Sequence, residues 1–279
     1  MRIIDSRKIK EAVSDLAIKA NINLRPDVLD ALKKRFKSER KKEARCALGY
    51  IIDNARIAKK EHLAICQDTG LPVVFIDLGD QVHVRGNLNN AVQAGISDGY
   101  RKARLRQSVI LDPLRQSIKT DFVPALVNVR ILKGKRMGLA VLPKGFGCEN
   151  KAACFMFNPT TDIENIIDWI IDVTKRAGPD ACPPYVLGVG IGGTADEAAR
   201  LAKHALLRPI NKKNQDKFLS RLEKKLLDKI NRSGIGAFGL GGNTTALGVN
   251  IETAPTHIAG LPVAVNVSCH ALRSARKIL

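Results

Sequence analysis

Hydrophobic residues at the start of the chain recur at helical spacing. Residues 9–17 place Ile9, Ala12, Val13, Leu16 and Ala17 three or four positions apart, which is typical of an amphipathic helix. Ser6 is the expected N-cap of this helix. A second helical pattern starts near Pro26, because proline suits a first helical turn. It runs towards Lys60 as one helix or two.

Shorter apolar runs further along predict strands that alternate with helices. Strands are expected at residues 73–78, 82–84, 185–189, 246–251 and 263–267, and helices at 90–105, 162–176, 195–207 and 215–230. Two more strand-like runs within 123–142 flank Lys133-Gly134-Lys135, a glycine-containing turn that predicts a hairpin. The interleaving predicts the α/β class. We expect a single large mixed α/β domain over residues 1–279, with two lobes as the alternative arrangement.

The chain is strongly basic, with 46 Lys and Arg against 27 Asp and Glu and a net charge of +19. Nucleic acid, an anionic substrate or an acidic partner would each suit this excess. Runs such as Lys33-Lys34-Arg35 and Arg40-Lys41-Lys42 alternate with apolar residues, so we interpret most of the charge as solvated helix faces. Aromatic residues make up only 4% of the chain, which leaves little for base stacking. A basic nucleic-acid-binding protein is therefore only the remote alternative.

Hydropathy and the N-terminus predict where the protein resides. No apolar run approaches the roughly 20 residues that span a bilayer, and residues 1–10 lack the pattern of a signal peptide. We expect cytoplasmic residence and no membrane contact.

Six cysteines occur: Cys46, Cys66, Cys148, Cys154, Cys182 and Cys269. A disulfide framework is not expected without a secretory signal, and no CxxC pair suggests a zinc ribbon. Cys66, Cys182 and Cys269 stand in polar or Gly/Pro-rich settings. Thiolates favour soft ions and iron–sulfur clusters, and three of them on a cubane would leave one iron open. The alternative is that these cysteines are buried small hydrophobes.

Other polar residues near such loops are candidates for binding an anion. Arg106 follows a predicted helix and can hold a carboxylate with its fork, although a surface arginine is the alternative. Backbone amides of the 144–150 loop can form an anion-binding concavity. His257 can carry a proton or orient a ligand, with a structural histidine as the alternative.

A GxGxxG pattern formed by Gly188, Gly190 and Gly193 lies between a predicted strand and a predicted helix. A dinucleotide site also needs an acidic residue about 20 positions further on. Residues 207–213 offer neither a strand nor an acid. We interpret the glycines instead as allowing backbone close to a cofactor or an anion at a helix N-terminus.

Three segments together carry a family resemblance. They are Cys66-Gln67-Asp68-Thr69-Gly70, residues 182–194 beginning Cys182-Pro183-Pro184, and residues 256–266 with Cys269. They resemble class I fumarases, and more specifically the alpha subunits of two-subunit fumarase and L-tartrate dehydratase enzymes. The resemblance covers nearly the whole chain, with the motifs in the family's order.

The resemblance implies a site. Its expected [4Fe-4S] cluster is ligated by Cys66, Cys182 and Cys269, with the fourth iron open to substrate. Substrate contacts are expected from Gln67, Asp68, Arg106, Gly147 and His257, with Asp68 and His257 as the catalytic candidates. Whether Asp68 accepts a proton itself or tunes a base on another chain stays open.

The implied reaction is the reversible hydration of fumarate to L-malate, with dehydration of L-tartrate or a related 2-hydroxy dicarboxylate as the alternative. A separate beta subunit is expected to supply the rest of the active site in a hetero-oligomer. Phe146 and Cys148 depart from the glycine and serine expected of relatives, which puts the contacts of their loop in question. Cys46, Cys148 and Cys154 have no assigned role.

Overall fold

A computed structural model of the chain describes residues 1–115 and 119–279. The α-helices are α1 Ser6–Ile22, α2 Pro26–Ser38, α3 Lys42–Glu61, α4 Leu88–Lys102, α5 Phe146–Glu149, α6 Ile163–Ala177, α7 Ala195–Ala205 and α8 Lys217–Asn231. The strands are β1 Arg2–Asp5, β2 Leu71–Gly79, β3 Val82–Arg85, β4 Val109–Ile110, β5 Thr120–Asp121, β6 Leu126–Leu132, β7 Met137–Lys144, β8 Ala153–Phe157, β9 Tyr185–Gly193, β10 Ala246–Thr256, β11 Leu261–Ser268 and β12 Ala275–Ile278. The mixed α/β class is confirmed.

The chain divides into two compact units that interleave along the sequence. The first unit contains Met1–Arg25, Ala55–Phe146 and Arg273–Leu279, and the second contains Pro26–Asn54 and Gly147–Leu272. Each unit has its own four-stranded sheet. The single domain over residues 1–279 stays a prediction.

The sheet of the first unit has the strand order β12-β7-β2-β6. Its central strand β2 pairs in parallel with β6 and antiparallel with β7. Helix α1 packs on β7, and α4 packs on α1. The core between them is apolar and includes the fully buried Ile9, Val74, Ile96 and Leu139. Burial of this apolar surface is the main term that stabilises the unit.

The hairpin predicted at Lys133-Gly134-Lys135 is wrong. Strands β6 and β7 flank this turn, but β2 lies between them and hydrogen-bonds to both. The turn crosses the end of β2, where the Asp80 backbone N–H donates to the Leu132 carbonyl at 2.7 Å. A strand as buried as β2 needs a partner on each edge, and local turn chemistry does not reveal which strand inserts.

The four helices predicted after residue 88 lie where expected, with ends that differ by up to three residues, and the N-cap of the first helix differs from the prediction. The side chain of Asp5, rather than Ser6, caps α1 by accepting the Arg7 backbone N–H at 2.9 Å. Aspartate and serine are both good N-caps, so the sequence alone does not decide between Asp5 and Ser6. The pattern that starts at Pro26 forms two helices, α2 and α3, as one of the two alternatives predicted.

The sheet of the second unit has the strand order β10-β9-β11-β8. Strand β9 pairs in parallel with β10 and antiparallel with β11. Helix α8 packs against β10, and α6 packs against α8 and β11. Apolar side chains of these helices, including Ile167, Ile170 and Leu226, are buried in one core with Val189 and Val265.

The glycines of the GxGxxG pattern have a packing role that the sequence interpretation missed. Gly188 and Gly190 lie within β9, and helix α7 packs directly on this strand. A Cβ at Gly188 would lie 1.9 Å from the Ala202 carbonyl oxygen, and one at Gly190 would lie 2.0 Å from the Ala198 carbonyl oxygen. The sequence predicted that a cofactor or an anion lies close to these glycines. At Gly188 and Gly190 the backbone of α7 fills that space instead.

Within residues 1–115 and 119–279, no helix has both the length and the apolar character needed to cross a bilayer.

Gly190→Ala is expected to lower the free energy of unfolding by about 2 kcal/mol or more, because the added methyl group forces α7 away from β9. Gly260→Ala is the matched control, because the nearest atom to its Cβ would be Met156 Cε at 3.6 Å, an ordinary contact. Urea denaturation of the two variants measures the difference. Equal stability would contradict this account of the glycines.

Candidate active site

The segment 66–70 forms an ordered loop between α3 and β2 in the first unit. The carboxylate of Asp68 accepts the Gly70 N–H through Oδ1 at 2.9 Å and the Phe146 N–H through Oδ2 at 2.7 Å. Gly70 has φ +75°, and a Cβ there would lie 2.8 Å from the Lys144 backbone. Only glycine fits this position without strain, so the loop is held against the end of β7.

Hydrogen bonds beneath the loop tie it to the segment after α4. The Thr69 hydroxyl donates to the Arg106 carbonyl at 2.9 Å, and the Tyr100 hydroxyl donates to the Thr69 carbonyl at 2.9 Å. The structure thus brings residues 66–70 next to the backbone of Arg106, and both segments are predicted to bind substrate. The residues Gln67 and Arg106 are both solvent-exposed, and exposure leaves their side chains accessible to a ligand.

A buried polar group that sequence reasoning missed lies near this loop. We call Asn21, Tyr100 and Arg273 the buried triad. The Arg273 Nη1 donates to Asn21 Oδ1 at 3.3 Å. Burial raises the pKa of Tyr100 to about 12, the neighbouring Asn21 and Arg273 oppose this shift, and the charge of Asp68 adds to it. No local pattern marks these residues, because the partners are far apart in sequence.

Two of the predicted cysteine ligands are brought together in the second unit by strand pairing. Cys182 precedes β9 and Cys269 follows β11, and Ser268 pairs with Val186 in the antiparallel register. Antiparallel strands place the start of one beside the end of the other. The His270 Nδ1–H donates to the Cys182 carbonyl at 3.0 Å, which joins the two cysteine segments directly.

The backbone of Cys182 has an unusual conformation. Its φ of +53° and ψ of +64° lie in the left-handed region, which costs a non-glycine residue about 1–2 kcal/mol. The edge-to-face contact of the Phe238 and His270 rings, with centroids 5.2 Å apart, packs beside this turn. The Phe238 N–H donates to the Pro183 carbonyl at 3.0 Å. A strained position fixed by its surroundings is typical of functional sites.

His257 is not brought to the two cysteines of the second unit. It follows β10, whose last residue Thr256 pairs with Gly193 at the far end of β9. That point lies seven residues along β9 from Val186, or roughly 23 Å of extended strand. The His257 side chain is exposed, and its Nδ1 accepts the Ala259 N–H at 3.1 Å. A catalytic role for His257 stays a prediction.

The predicted 144–150 loop is a strand end followed by a helical turn. Lys144 is the last residue of β7, and residues 146–149 form α5. Gly147 is exposed at the start of the second unit's long segment, and its substrate contact stays a prediction. Cys148 is buried, and its Sγ donates to the Ala181 carbonyl at 3.4 Å. A buried cysteine in such a contact suits a packing role.

Across residues 1–115 and 119–279, no three His, Cys, Asp or Glu side chains gather closely enough to hold a single ion. The thiolates that hold a cubane each bind a different iron, so they lie further apart than the ligands of a single ion. Cys66 and Cys269 are half-buried and Cys182 is exposed. Accessible thiols, two of them on adjoining segments, fit an iron–sulfur cluster.

Comparison with known proteins gives the class. The sequence model of the fumarate hydratase (Fumerase) family matches residues 10–277. The chain therefore belongs to this family of hydro-lyases, which add water to a carbon–carbon double bond or remove it.

Individual members of the family with similar sequences include alpha subunits of L(+)-tartrate dehydratases. The chain is 38% identical over 276 residues to the "Putative L(+)-tartrate dehydratase subunit alpha" of Methanocaldococcus jannaschii, with 97% of each chain covered. It is 29% identical over 269 residues to the L(+)-tartrate dehydratase subunit alpha of Escherichia coli strain K12, covering 95% of this chain and 89% of that protein. The protein of the same name from Shigella sonnei gives the same values.

Tyr100→Phe is expected to lower the free energy of unfolding by about 1 kcal/mol at pH 7, through loss of the hydrogen bond to Thr69. The pKa of Tyr100 is raised from 10.0 to about 12 in the folded chain. Above pH 10 the unfolded tyrosine ionises first, so wild-type stability falls as pH rises towards 12. The deficit of the variant should therefore shrink over this range. Urea titrations at several pH values measure it, and a constant deficit would contradict the assignment.

Proposed function

We propose that the chain is the alpha subunit of an iron–sulfur hydro-lyase that acts on a small 2-hydroxy dicarboxylate. The observation that carries this proposal is the family match over residues 10–277. The structure supports it, because β9 and β11 bring Cys182 and Cys269 to the same end of one sheet.

L-tartrate is the substrate that we propose first. Two relatives carry the name L(+)-tartrate dehydratase subunit alpha and a third carries the same name preceded by "Putative", which favours dehydration of tartrate over the fumarate hydration expected from sequence. Hydration of fumarate to L-malate remains the second candidate, because the family description is fumarate hydratase. L-tartrate and L-malate both present two carboxylates and at least one hydroxyl group, so the same side chains can serve either one.

The proposed cluster ligands are Cys66, Cys182 and Cys269. A [4Fe-4S] cluster with one open iron supplies a Lewis acid for a hydroxyl and a carboxylate of the substrate. The polypeptide around each cysteine is already ordered. Residues 66–70 are held through Asp68, and Cys182 is held through His270. Ordered ligands lower the entropic cost of cluster binding.

The proposed substrate contacts have distinct tasks. Gln67 and Arg106 hold carboxylate oxygens, and positioning of this kind lowers the entropic part of the barrier. Asp68 already accepts two backbone N–H groups, which holds the carboxylate in one orientation. Its remaining lone pairs can accept a proton directly, or accept a hydrogen bond that tunes a base on the beta subunit. The Gly147 amide and His257 complete the proposed set.

A separate beta subunit is part of the proposal. The relatives are named as alpha subunits, and we propose that this chain likewise forms a hetero-oligomer whose second chain completes the site. We place the assembly in the cytoplasm, because a reducing compartment suits six cysteines without a disulfide.

Anaerobic reconstitution is expected to give a brown protein with about four irons per chain. Cys66→Ser, Cys182→Ser and Cys269→Ser should each lose iron and the visible absorbance, because serine is a poor ligand for iron–sulfur clusters. Cys154→Ser is the control, since this exposed residue lies on β8 and should keep the wild-type iron content. Iron and sulfide analysis with absorbance spectra measures the outcome. Equal iron retention in all four variants would refute the ligand set.

The cluster-loaded pair of alpha and beta subunits is expected to remove water from L-tartrate with a kcat/KM about 10-fold or more above that for L-malate. The extra hydroxyl of tartrate needs a matched polar partner, and a site built for it discriminates. The alpha chain alone should show little turnover. Product quantification under anaerobic conditions measures all three rates. A preference for malate would favour fumarase activity, and full activity of the lone chain would contradict the need for a partner.

A further inference from the structure

Arg273 is a buried arginine four positions after Cys269. Its side chain is 4% exposed and belongs to the first unit. Nη1 donates to Asn21 Oδ1 at 3.3 Å, and Nε has no hydrogen-bond partner within the part of the chain that the structure describes. A buried guanidinium is costly unless its donors are used. Its retention in place of an apolar side chain therefore calls for a reason beyond packing.

The position of Arg273 relative to Asp68 supplies such a reason. Gly145 separates β7 from the Phe146 amide that donates to Asp68. A Cβ on Gly145 would lie 3.1 Å from Asp68 Oδ2 and 3.3 Å from Arg273 Nη2. The two charged groups therefore lie against the same backbone position. A side chain at residue 145 would push at least one of them away.

We propose that Arg273 is a positioning residue that holds Asp68 and the Gly145-Phe146 backbone in the geometry required for substrate. Nη1 anchors the guanidinium to Asn21 near the C-terminal end of α1, and Nη2 lies close to Gly145, the residue that Asp68 Oδ2 also approaches. The role of Asp68 towards substrate rests on the proposed function, whereas the positioning itself does not. Arg273 acts through Asp68 and is not assigned a contact with substrate.

The arginine side chain suits this role better than lysine. Its guanidinium is planar and presents five donors in fixed directions, so one group can bind Asn21 and pack against Gly145 beside Asp68 at the same time. An ammonium group is a point charge and cannot hold both directions rigidly. Arg273→Lys keeps the charge but should therefore not restore the geometry, which separates positioning from simple charge balance.

The first experiment measures the loop without using activity. Arg273→Gln and Arg273→Lys are compared with wild type by amide hydrogen exchange of the whole chain. Exchange should rise about 10-fold or more at Gly70 and Phe146, the two amides that donate to Asp68. Arg208→Gln is the matched control, because Arg208 is a partly buried arginine of the second unit, bound to Glu223 and Asn250. It should leave exchange at Gly70 and Phe146 unchanged.

Each result of this experiment decides the question. Faster exchange confined to these amides and their neighbours supports positioning. Unchanged exchange at both amides, or a uniform rise across the first unit, overturns it. If Arg273→Gln does not fold, Arg273→Lys carries the test, since it retains the buried positive charge.

The second experiment uses the assembled, cluster-loaded enzyme in a double-mutant cycle. Arg273→Lys should lower kcat about 10- to 100-fold when Asp68 is present and by less than about 2-fold in the Asp68→Asn background, because two residues that act as one unit are not additive. Equal losses in both backgrounds would overturn the proposal. If the wild-type assembly turns over no dicarboxylate, the proposed function fails, and the exchange measurement still decides the role of Arg273.

Discussion

The antiparallel pairing of β11 with β9 is the constraint on which the second unit depends. It fixes which ends of the strands lie side by side, and so sets Cys182 beside the segment of Cys269. The same strand β9 must accept the backbone of α7 at Gly188 and Gly190. A register shift of one residue would reverse the faces of the strand. It would expose the core and displace the two cysteine segments relative to each other by about 3.3 Å.

Much of the fold follows from local signals, and the errors arise where strand order is not local. Helix α6 follows the Asp162 cap and ends before Gly178, close to the helix at 162–176 that the sequence pattern predicts. Strand β12 contains Arg276 and Lys277, so alternation does not reveal it. Its pairing with β7, like the insertion of β2 beside β6, depends on contacts between distant segments that turn residues do not encode.

The same distinction separates the parts of the candidate site. Residues 66–70 and Cys182 stood out because ordered loops need glycine, proline and polar side chains at set positions, and such residues are visible in sequence. The buried triad did not stand out. Asn21 and Arg273 are 252 residues apart, and each looks ordinary among its neighbours. Long-range polar contacts of this kind appear only once the chain is folded, because burial gives them their energetic weight.

The interleaving of the two units has a consequence for how the polypeptide reaches its native state. The first unit requires Arg273–Leu279, which follow the entire long segment of the second unit. During synthesis, β7 cannot pair with β12 until residues 145–274 have been made, a stretch of about 43 nm if fully extended, and these residues collapse first on their own. Closing so long a loop slows folding and leaves an unpaired strand edge exposed to aggregation. Neither unit is a contiguous segment, so expression of either one as a simple fragment would omit part of its own sheet or its helices.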